Sequence, residues 1–415
     1  MPRFRLDTSP LRGSRDFRLL FGAGTVFYLG QMVTYVAVPA QLYQLTHSNT
    51  AVGALGAAEV VPLVVFGLWG GALADHLDRR RLLVRTGVAQ VLITTALVAN
   101  AVAYRPQAWL LYVLGALAAV ASALQRPSRE ALVPRMVPRD QLAAAVSLNS
   151  LGMQLGALAG PAIGGLLVAS AGAGWAYAVD LIGLTAATAL IARIGPYPHG
   201  EATARPSLAG IAAGLRYALG RRDLLGTYVI DLVAMTLAFP LAVYPAFAKD
   251  VLHHPGSLGL LHAAGSGGAV AATITSGWTA RVRHRGRAVV AAATCWGAAI
   301  AAAGGASVLW LVLVLLFVAG AADMTSGLFR SVIWHETIPD AYRGRLAGVE
   351  MLSYSLGPLA GQVRSGVVAD AAGVRASIVS GGLLCVIGVL AVPLLLPAFW
   401  SYDARHDPHV TAAPR

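Results

Sequence analysis

Three carboxylates lie at similar depth within apolar stretches of this sequence. Asp231 and Asp323 each lie about seven residues from the end of their stretch, and Glu350 lies slightly closer to an end. Carboxylates crowded in a low-dielectric cavity can hold protons near neutral pH. We therefore expect proton exchange here, with a carboxyl group protonated while a substrate is absent and ionised when it binds. The alternative is a structural ion pair with Arg330, which lies on the same helical face as Asp323.

The stretches that position these residues are long enough to cross a bilayer. Of 415 residues, 57% are hydrophobic and 12% are charged, whereas soluble proteins average about 25% charged residues. Runs of about 18 or more apolar residues recur, and each can span a hydrocarbon core of about 30 Å. The alternative of one large soluble enzyme does not explain these runs. The arginines lie at the ends of the runs and not in a patch with aromatic residues, which argues against a nucleic-acid partner.

The apolar stretches predict twelve transmembrane helices, six on each side of one long polar connection. The predicted helices cover residues 17–45, 51–75, 82–103, 109–124, 141–170 and 175–194 in the first half, and 224–249, 257–280, 288–305, 307–329, 345–371 and 374–399 in the second. The expected fold class is therefore an all-α integral membrane protein.

The polar connection also predicts the domains. We expect an N-terminal six-helix bundle at 1–195, a cytoplasmic linker with an amphipathic helix at 196–222, a C-terminal six-helix bundle at 223–400 and a cytoplasmic tail at 401–415. A repeat indicates that the two halves share one ancestry. Pro138 recurs 201 positions later as Pro339, and a Leu-Ala-Gly tripeptide that ends at Gly160 recurs at the same offset, ending at Gly361.

The basic residues predict the orientation in the membrane. The chain contains 31 lysines and arginines. Nearly all of them fall on the termini, the linker and the even-numbered loops, and the exceptions are Arg105, Lys249, Arg364 and Arg375. Because loops rich in Lys and Arg stay in the cytoplasm, both termini are expected on the cytoplasmic side of the inner membrane.

The segment 71–81 separates the second apolar run from the third. It contains Gly71, Asp75, Arg79 and Arg80. This segment resembles the loop between helices 2 and 3 of the major facilitator superfamily, G-x-L-A-D-R-x-G-R-R/K, although Asp78 replaces the second glycine.

The fifth predicted helix carries a second family pattern. Gly156, Gly160, Pro161, Gly164 and Gly165 match the G-x-x-x-G-P-x-x-G-G motif of major facilitator drug:proton antiporters. The resemblance implies export and not import. The alternative is tight helix packing, because glycine every four residues creates a smooth face that a neighbouring backbone can approach.

Overall the chain resembles the siderophore-exporter and drug:proton-antiporter branch of the major facilitator superfamily. This resemblance implies two six-helix bundles around a central cavity and alternating access by rocking of the halves. It also implies proton-driven export of a hydrophobic or catecholate molecule, with general multidrug efflux as the alternative. Two other classes stay open from the residues: a membrane-embedded enzyme, for which catalytic spacing is missing, and a non-transporting sensor, against which the intramembrane carboxylates argue.

The family fold brings helices 2 and 11 face to face, which suggests two gates. Glu59 and Arg364 lie in the outer thirds of these helices. The resemblance implies an outer gate formed by an ion pair between them, which breaks when the outer side opens. The alternative is that the cavity solvates each side chain separately.

The proposed inner gate involves the loop-2 segment. Asp75, at the inner end of helix 2, can meet the positive N-terminus of helix 11 near Arg343 and Arg345. Arg79 and Arg80 can meet Glu130 at the end of helix 4. These contacts would hold the cytoplasmic side shut.

Polar and aromatic residues on the first helix are candidates for the substrate cavity. Gln31 and Tyr35 lie amid apolar neighbours. Tyr28, Tyr35 and, on a later helix, Trp334 could stack on a flat ligand. More often such aromatic residues belong to the core or anchor the interface. Asp180 is a weaker candidate, because helix 6 lies at the periphery of the family fold.

The sequence contains no metal-ligand spacing, no nucleophile motif and no phosphate-binding loop, so we expect neither a cofactor nor enzymatic activity. The expected partners are a small-molecule substrate, protons and the lipid bilayer, and the protein is expected to be a monomer.

Overall fold

The described part of the chain consists of helices joined by short turns. The computed structural model describes residues 7–76, 78–195, 197, 216–338 and 340–403. Within the helices, the side chains of residues 67–76, 127, 280, 340–345, 347–349 and 351–352 lie outside this description. No strand occurs in the described ranges.

The described part of the chain contains twelve long helices. The first half contains α1 (Arg15–Thr46), α2 (Asn49–His76), α3 (Arg79–Val102), α4 (Ala108–Met136), α5 (Leu142–Ala171) and α6 (Ala173–Ala192). The second half contains α7 (Arg222–Ala238), α8 (Leu258–Ile274), α9 (Arg285–Gly305), α10 (Leu309–Thr337), α11 (Asp340–Ala372) and α12 (Val374–Leu395). Short helices precede α1 (Ser9–Gly13) and follow α12 (Pro397–Trp400).

The predicted membrane fold is confirmed. Eleven helical segments of the described chain are long and apolar enough to cross a membrane, and α11, with 33 residues, has the length for a twelfth span. The surface agrees with this fold, since large apolar side chains such as Ile182 and Leu394 are 71% and 83% exposed. Such exposure is costly in water but favourable against lipid.

Several helix ends differ from the prediction. α4 continues to Met136 and α10 to Thr337, about ten residues beyond the apolar runs that predicted them. These helices extend past the apolar stretch into basic sequence, so hydropathy alone places their ends too early. α7 ends at Ala238 and is followed by short turns and a π-helical segment (Phe247–Val251).

The helices are grouped in two compact units. The first comprises residues 1–45 and 61–205, and the second comprises residues 46–60 and 206–415. The second unit therefore includes the beginning of α2, although that helix belongs by sequence to the first half. The exact domain boundaries given above stay a prediction, and most of the linker 196–222 lies outside the described residues.

In each unit a glycine-bearing helix packs closely against another helix. A Cβ placed on Gly160 of α5 would lie 2.4 Å from Met32 Cβ on α1. A Cβ placed on Gly361 of α11 would lie 2.2 Å from the Met235 carbonyl oxygen on α7. The two glycines are related by the sequence repeat, so the same close approach of two backbones recurs in both units.

Asp16 at the start of α1 forms hydrogen bonds with the chain segment that follows α6. Its Oδ2 accepts hydrogen bonds from the Gly195 backbone N–H at 3.1 Å and from the Tyr197 hydroxyl at 3.0 Å. Burial and the neighbouring Asp16 carboxylate raise the pKa of Tyr197 to about 12, so this hydroxyl keeps its proton at physiological pH and remains a donor.

Candidate functional site

A buried ion pair joins α7 to α10 in the second unit. Asp231 on α7 pairs with Arg330 on α10, and their side chains are only 2% and 4% exposed. Ser353 on α11 donates a hydrogen bond of 2.8 Å from its hydroxyl to Asp231 Oδ2. Three helices therefore meet at Asp231. Loss of either partner of such a pair leaves a buried charge uncompensated, which is strongly destabilising.

Asp323 lies near the same arginine, and Glu350 lies near Tyr354. Asp323 interacts electrostatically with both Arg330 and Asp231. Tyr354 interacts electrostatically with these three residues and with Glu350, and the Arg330 guanidinium carbon lies 5.7 Å from the centroid of the Tyr354 ring. The structure thus brings Asp231, Asp323 and Arg330 into one charged cluster, with Glu350 near Tyr354 beside it. Their part in proton coupling stays a prediction.

The partner of Arg330 differs from the alternative considered above. Spacing along α10 suggested a structural pair with Asp323, whereas the ion pair forms with Asp231 on α7. Residues seven apart on a helix share a face but lie about 10 Å apart along its axis. A residue on a neighbouring helix can therefore lie closer to the guanidinium.

An aromatic wall adjoins the charged cluster. The Trp334 ring stacks on Tyr228 with centroids 5.3 Å apart and meets Tyr354 edge-on at 5.9 Å. The Trp334 indole N–H donates a hydrogen bond of 2.8 Å to Thr227 Oγ1. Among these residues only Trp334 was singled out from the sequence. Tyr228 lies three residues before Asp231 and Tyr354 four after Glu350, and this helical spacing is the signal that could have identified them.

The candidate cavity residues of the first unit have different environments. Gln31 Nε2 donates to Ser122 Oγ on α4 at 3.2 Å, and Gln90 on α3 donates to the same oxygen at 3.0 Å. Tyr35 is 37% exposed. Gln31 thus takes part in a polar contact of three helices, and its role in substrate binding, like that of Tyr35, stays a prediction.

Asp180 is more deeply placed than expected. Its side chain on α6 is 2% exposed, and its Oδ2 accepts a short hydrogen bond from the Thr34 hydroxyl on α1. A Cβ placed on Gly30 would lie 2.2 Å from Asp180 Oδ1, and within the described chain this Oδ1 has no hydrogen-bond partner. The carboxyl group of this helix therefore faces α1 and not the periphery.

The proposed outer-gate pair is not formed in this structure. Arg364 Nη1 donates to the carbonyl oxygens of Leu237 at 2.9 Å and Ser377 at 3.0 Å, and Nη2 donates to Ser380 Oγ at 2.9 Å. Among the ion pairs of the described residues, none joins Glu59 to Arg364. The guanidinium is satisfied by α7 and α12, and this explains why it does not bind Glu59.

The residues proposed for the inner gate are only partly described. The side chains of Gly71, Asp75 and Arg345 lie outside the described residues. Glu130 pairs with Arg126 on its own helix at 3.1 Å, whereas contacts with Arg79 and Arg80 were expected.

Those two arginines bind backbone carbonyls. Arg79 Nη1 donates to the Ala131 oxygen at 3.2 Å, and Arg80 Nη2 donates to the oxygen of Ala192, the last residue of α6. At Ala192, the carbonyls that lack intrahelical partners and the negative end of the α6 dipole favour a cation.

The glycine motif of α5 forms its interface with α1. A Cβ on Gly156 would lie 2.7 Å from Tyr28 Cδ1, and a Cβ on Gly164 would lie 2.7 Å from the Val33 oxygen. Pro161 and Gly165 are buried on the same helix. The structure thus shows the packing role of the motif, and its part in antiport stays a prediction.

The second unit also contains an apolar cavity of about 600 Å³. It is bordered by the beginning of α2, by α7 and by α11, through residues such as Val60, Leu232 and Leu359. Among its described lining residues, Arg364 alone is charged. Pockets that bind small organic molecules fall in the range of about 300–1,000 Å³ and are mostly apolar.

Comparison with known proteins identifies relatives along the whole chain. A model of the transmembrane secretion effector family matches residues 7–413. The enterobactin exporter EntS of Escherichia coli strain K12 is 28% identical, and the match covers 98% of this chain and 98% of that protein. The enterobactin exporter EntS of Citrobacter koseri is 27% identical, with 94% of both chains covered.

Solved structures of transporters share the fold. A bacterial homolog of the human lysosomal transporter Spinster, in an inward-facing and unoccupied conformation, is similar with a TM-score of 0.73 at 15% identity, covering 92% of this chain and 97% of that one. The nucleoside transporter NupG is similar with a TM-score of 0.71 at 12% identity, covering 94% and 100%. At these identities the likeness shows the fold alone.

Proposed function

This chain belongs to the transmembrane secretion effector family of the major facilitator superfamily, and on that premise we propose that it is a proton-coupled exporter of a hydrophobic small molecule. The family and the fold are those of secondary transporters. The observation that carries proton coupling is the buried Asp231–Arg330 pair with Asp323 close to it. Ionisable groups inside the membrane are costly, and they mark ion or substrate pathways.

The buried pair supplies a coupling mechanism in which proton and substrate exclude each other. With the outer side open and no substrate bound, a proton from outside neutralises Asp231 and weakens its pair with Arg330. On the inner side the substrate binds and donates hydrogen bonds that favour the ionised carboxylate, so the proton leaves into the cytoplasm. The carboxyl group therefore holds either the proton or the substrate, and one proton enters for each substrate that leaves.

The proposed substrate is a siderophore such as a catecholate. Its support is the likeness to enterobactin exporters over 98% of the chain and the aromatic wall of Tyr228, Trp334 and Tyr354 beside Arg330. Flat aromatic ligands stack on such walls, and an arginine favours anionic oxygens. General multidrug efflux is the second candidate, favoured by the apolar cavity near Val60.

The proposed setting is the cytoplasmic membrane, with both termini in the cytoplasm and the protein acting as a monomer. The distribution of the basic residues supports this orientation.

The proposed function is tested by comparing the metabolites secreted by cells with and without this protein, under iron limitation and under iron excess. We expect one siderophore to disappear from the medium of cells that lack the protein, under iron limitation only. Expression of the wild type should restore it, and expression of Asp231→Asn at equal abundance should not. Unchanged secretion in every condition would contradict siderophore export, and sensitivity to unrelated drugs in its place would favour multidrug efflux.

A further inference from the structure

The beginning of α2 is fastened to the end of α11 by one carboxylate. Asp370 Oδ1 accepts hydrogen bonds from the Asn49 backbone N–H at 2.9 Å and from Asn49 Nδ2 at 3.0 Å. Its Oδ2 accepts from the Thr50 backbone N–H at 2.8 Å and from the Ser48 hydroxyl at 2.7 Å. The first N–H groups of a helix have no intrahelical partner and carry its positive dipole end. Asp370 therefore caps α2 from a different helix.

Glycines let the two backbones touch next to this cap. A Cβ on Gly53 would lie 2.5 Å from the Gln362 oxygen, and a Cβ on Gly366 would lie 2.3 Å from the Asn49 oxygen. Small residues let the backbones pack closely, and the carboxylate cap adds four hydrogen bonds to this contact. The Asp370 side chain is itself exposed, so water can replace its partners when the contact opens.

The helix that this contact holds, α2, runs through both compact units. Residues 46–60 belong to the second compact unit, whereas residues from 61 onward belong to the first. One uninterrupted helix, Asn49–His76, thus begins in one unit and continues in the other. Any motion that separates the two units must either bend α2 or release its first turn from α11.

We propose that Asp370 is the latch that holds α2 against α11 on the outer side of the transporter, and that its release permits outward opening. This inference rests on the proposed transport function, because only a protein that alternates between two open states needs a releasable contact here. In this proposal the Asp370 latch has the outer-gate role that was expected for the Glu59–Arg364 pair, which the structure does not form.

The test measures the opening of the outer side in the purified full-length chain in lipid nanodiscs. Spin labels replace Tyr104 and Val308, which are exposed and lie on turns of different units, after Cys295 and Cys385 have been changed to alanine. The distance distribution between the labels is compared for the wild type and Asp370→Asn. Asparagine keeps the shape but loses the charge and one acceptor oxygen.

We expect the ratio of long to short distances to rise about tenfold in Asp370→Asn, because hydrogen bonds to a charged acceptor contribute more than neutral ones. Thr50→Ala is the matched control: its backbone N–H still donates to the carboxylate, and it loses only the long hydrogen bond of 3.5 Å from its hydroxyl to the Gly366 oxygen, so its distribution should stay close to that of the wild type. Asn49→Ala removes a single side-chain donor, and it should give a smaller shift of about threefold.

A wild-type distribution in both Asp370→Asn and Asn49→Ala would overturn the latch. Lower thermal stability with an unchanged distribution would show a static cap, and it would overturn the latch as well. The labels respond without any substrate. A shifted distribution together with unchanged metabolite secretion would therefore refute the proposed function and keep the latch.

Discussion

Asp231 and Arg330 are the residues on which the proposed chemistry depends most. Depth along the helices was enough to predict that Asp231 and Asp323 lie close together. It did not identify the partner of the arginine, because the direction of a side chain depends on its rotamer and on its neighbours. For the same reason Glu59 and Arg364 share a depth but do not meet.

Asp231→Asn should destabilise the protein by about 3–5 kcal/mol, because Arg330 is left buried without its counter-charge. The double variant Asp231→Asn/Arg330→Gln should recover most of that loss, since no unpaired charge remains. Thermal unfolding of the purified variants in one detergent measures both effects. Equal stability of the single and double variants would show that the pair is not coupled in this way.

Trp334→Ala should raise the KM for export about tenfold, because aromatic stacking and the adjoining ring contacts are lost. The matched control is Trp310→Ala on the same helix. Trp310 is 65% exposed, so its removal should leave the KM unchanged. If both variants behaved alike, the aromatic wall would not be part of the binding site.

At the residue scale, the partners of Asp370 could not be predicted from the sequence. An acid near the end of a helix is normally solvated, and nothing in its neighbours along the chain indicates a partner. Its partners Ser48, Asn49 and Thr50 lie more than 300 residues away, so only the packed structure reveals the cap.

At the scale of the elements, the helices were largely predictable. Long apolar runs located all twelve helices, and their ends differed most where α4 and α10 continue into polar sequence. The glycine spacing of α5 indicated a close helix contact but could not say with which helix. The structure identifies α1 as the partner through Gly156, Gly160 and Gly164.

Gly160→Ala and Gly361→Ala should each destabilise their unit, because the added methyl group would lie within 2.5 Å of atoms on α1 or α7. We expect a loss of about 1–3 kcal/mol, typical of overpacking. Gly305→Ala is the control, since its added Cβ would have no neighbour within 4 Å, and it should be tolerated. Thermal unfolding of the three variants measures these changes in stability. Similar stability of all three would contradict the packing role of the repeated glycine.

At the scale of the whole molecule, composition and charge predicted a twelve-helix membrane protein. The division of the structure into two compact units shows a feature that the internal sequence repeat did not suggest. The beginning of α2 packs with the second unit. A repeat in sequence divides the chain at the linker, whereas packing divides it according to which surfaces touch.

The proposed orientation can be checked by labelling in intact cells. A cysteine at Tyr104, which is 96% exposed, should react with a membrane-impermeant maleimide added outside. A cysteine at Arg139, exposed on the turn after α4, should react only after the membrane is permeabilised. The reverse pattern would place both termini outside the cell.

The most direct test of proton-coupled export uses everted membrane vesicles whose interior has been acidified by respiration. The metabolite that disappears from the medium of cells lacking the protein is added outside, and a pH-sensitive dye reports the interior. With the wild type, the interior should become more alkaline as protons leave in exchange for the metabolite. With Asp231→Asn, supplied at equal abundance, it should not. An unchanged interior pH with the wild type, or the same alkalinisation with Asp231→Asn, would contradict proton coupling through this carboxylate.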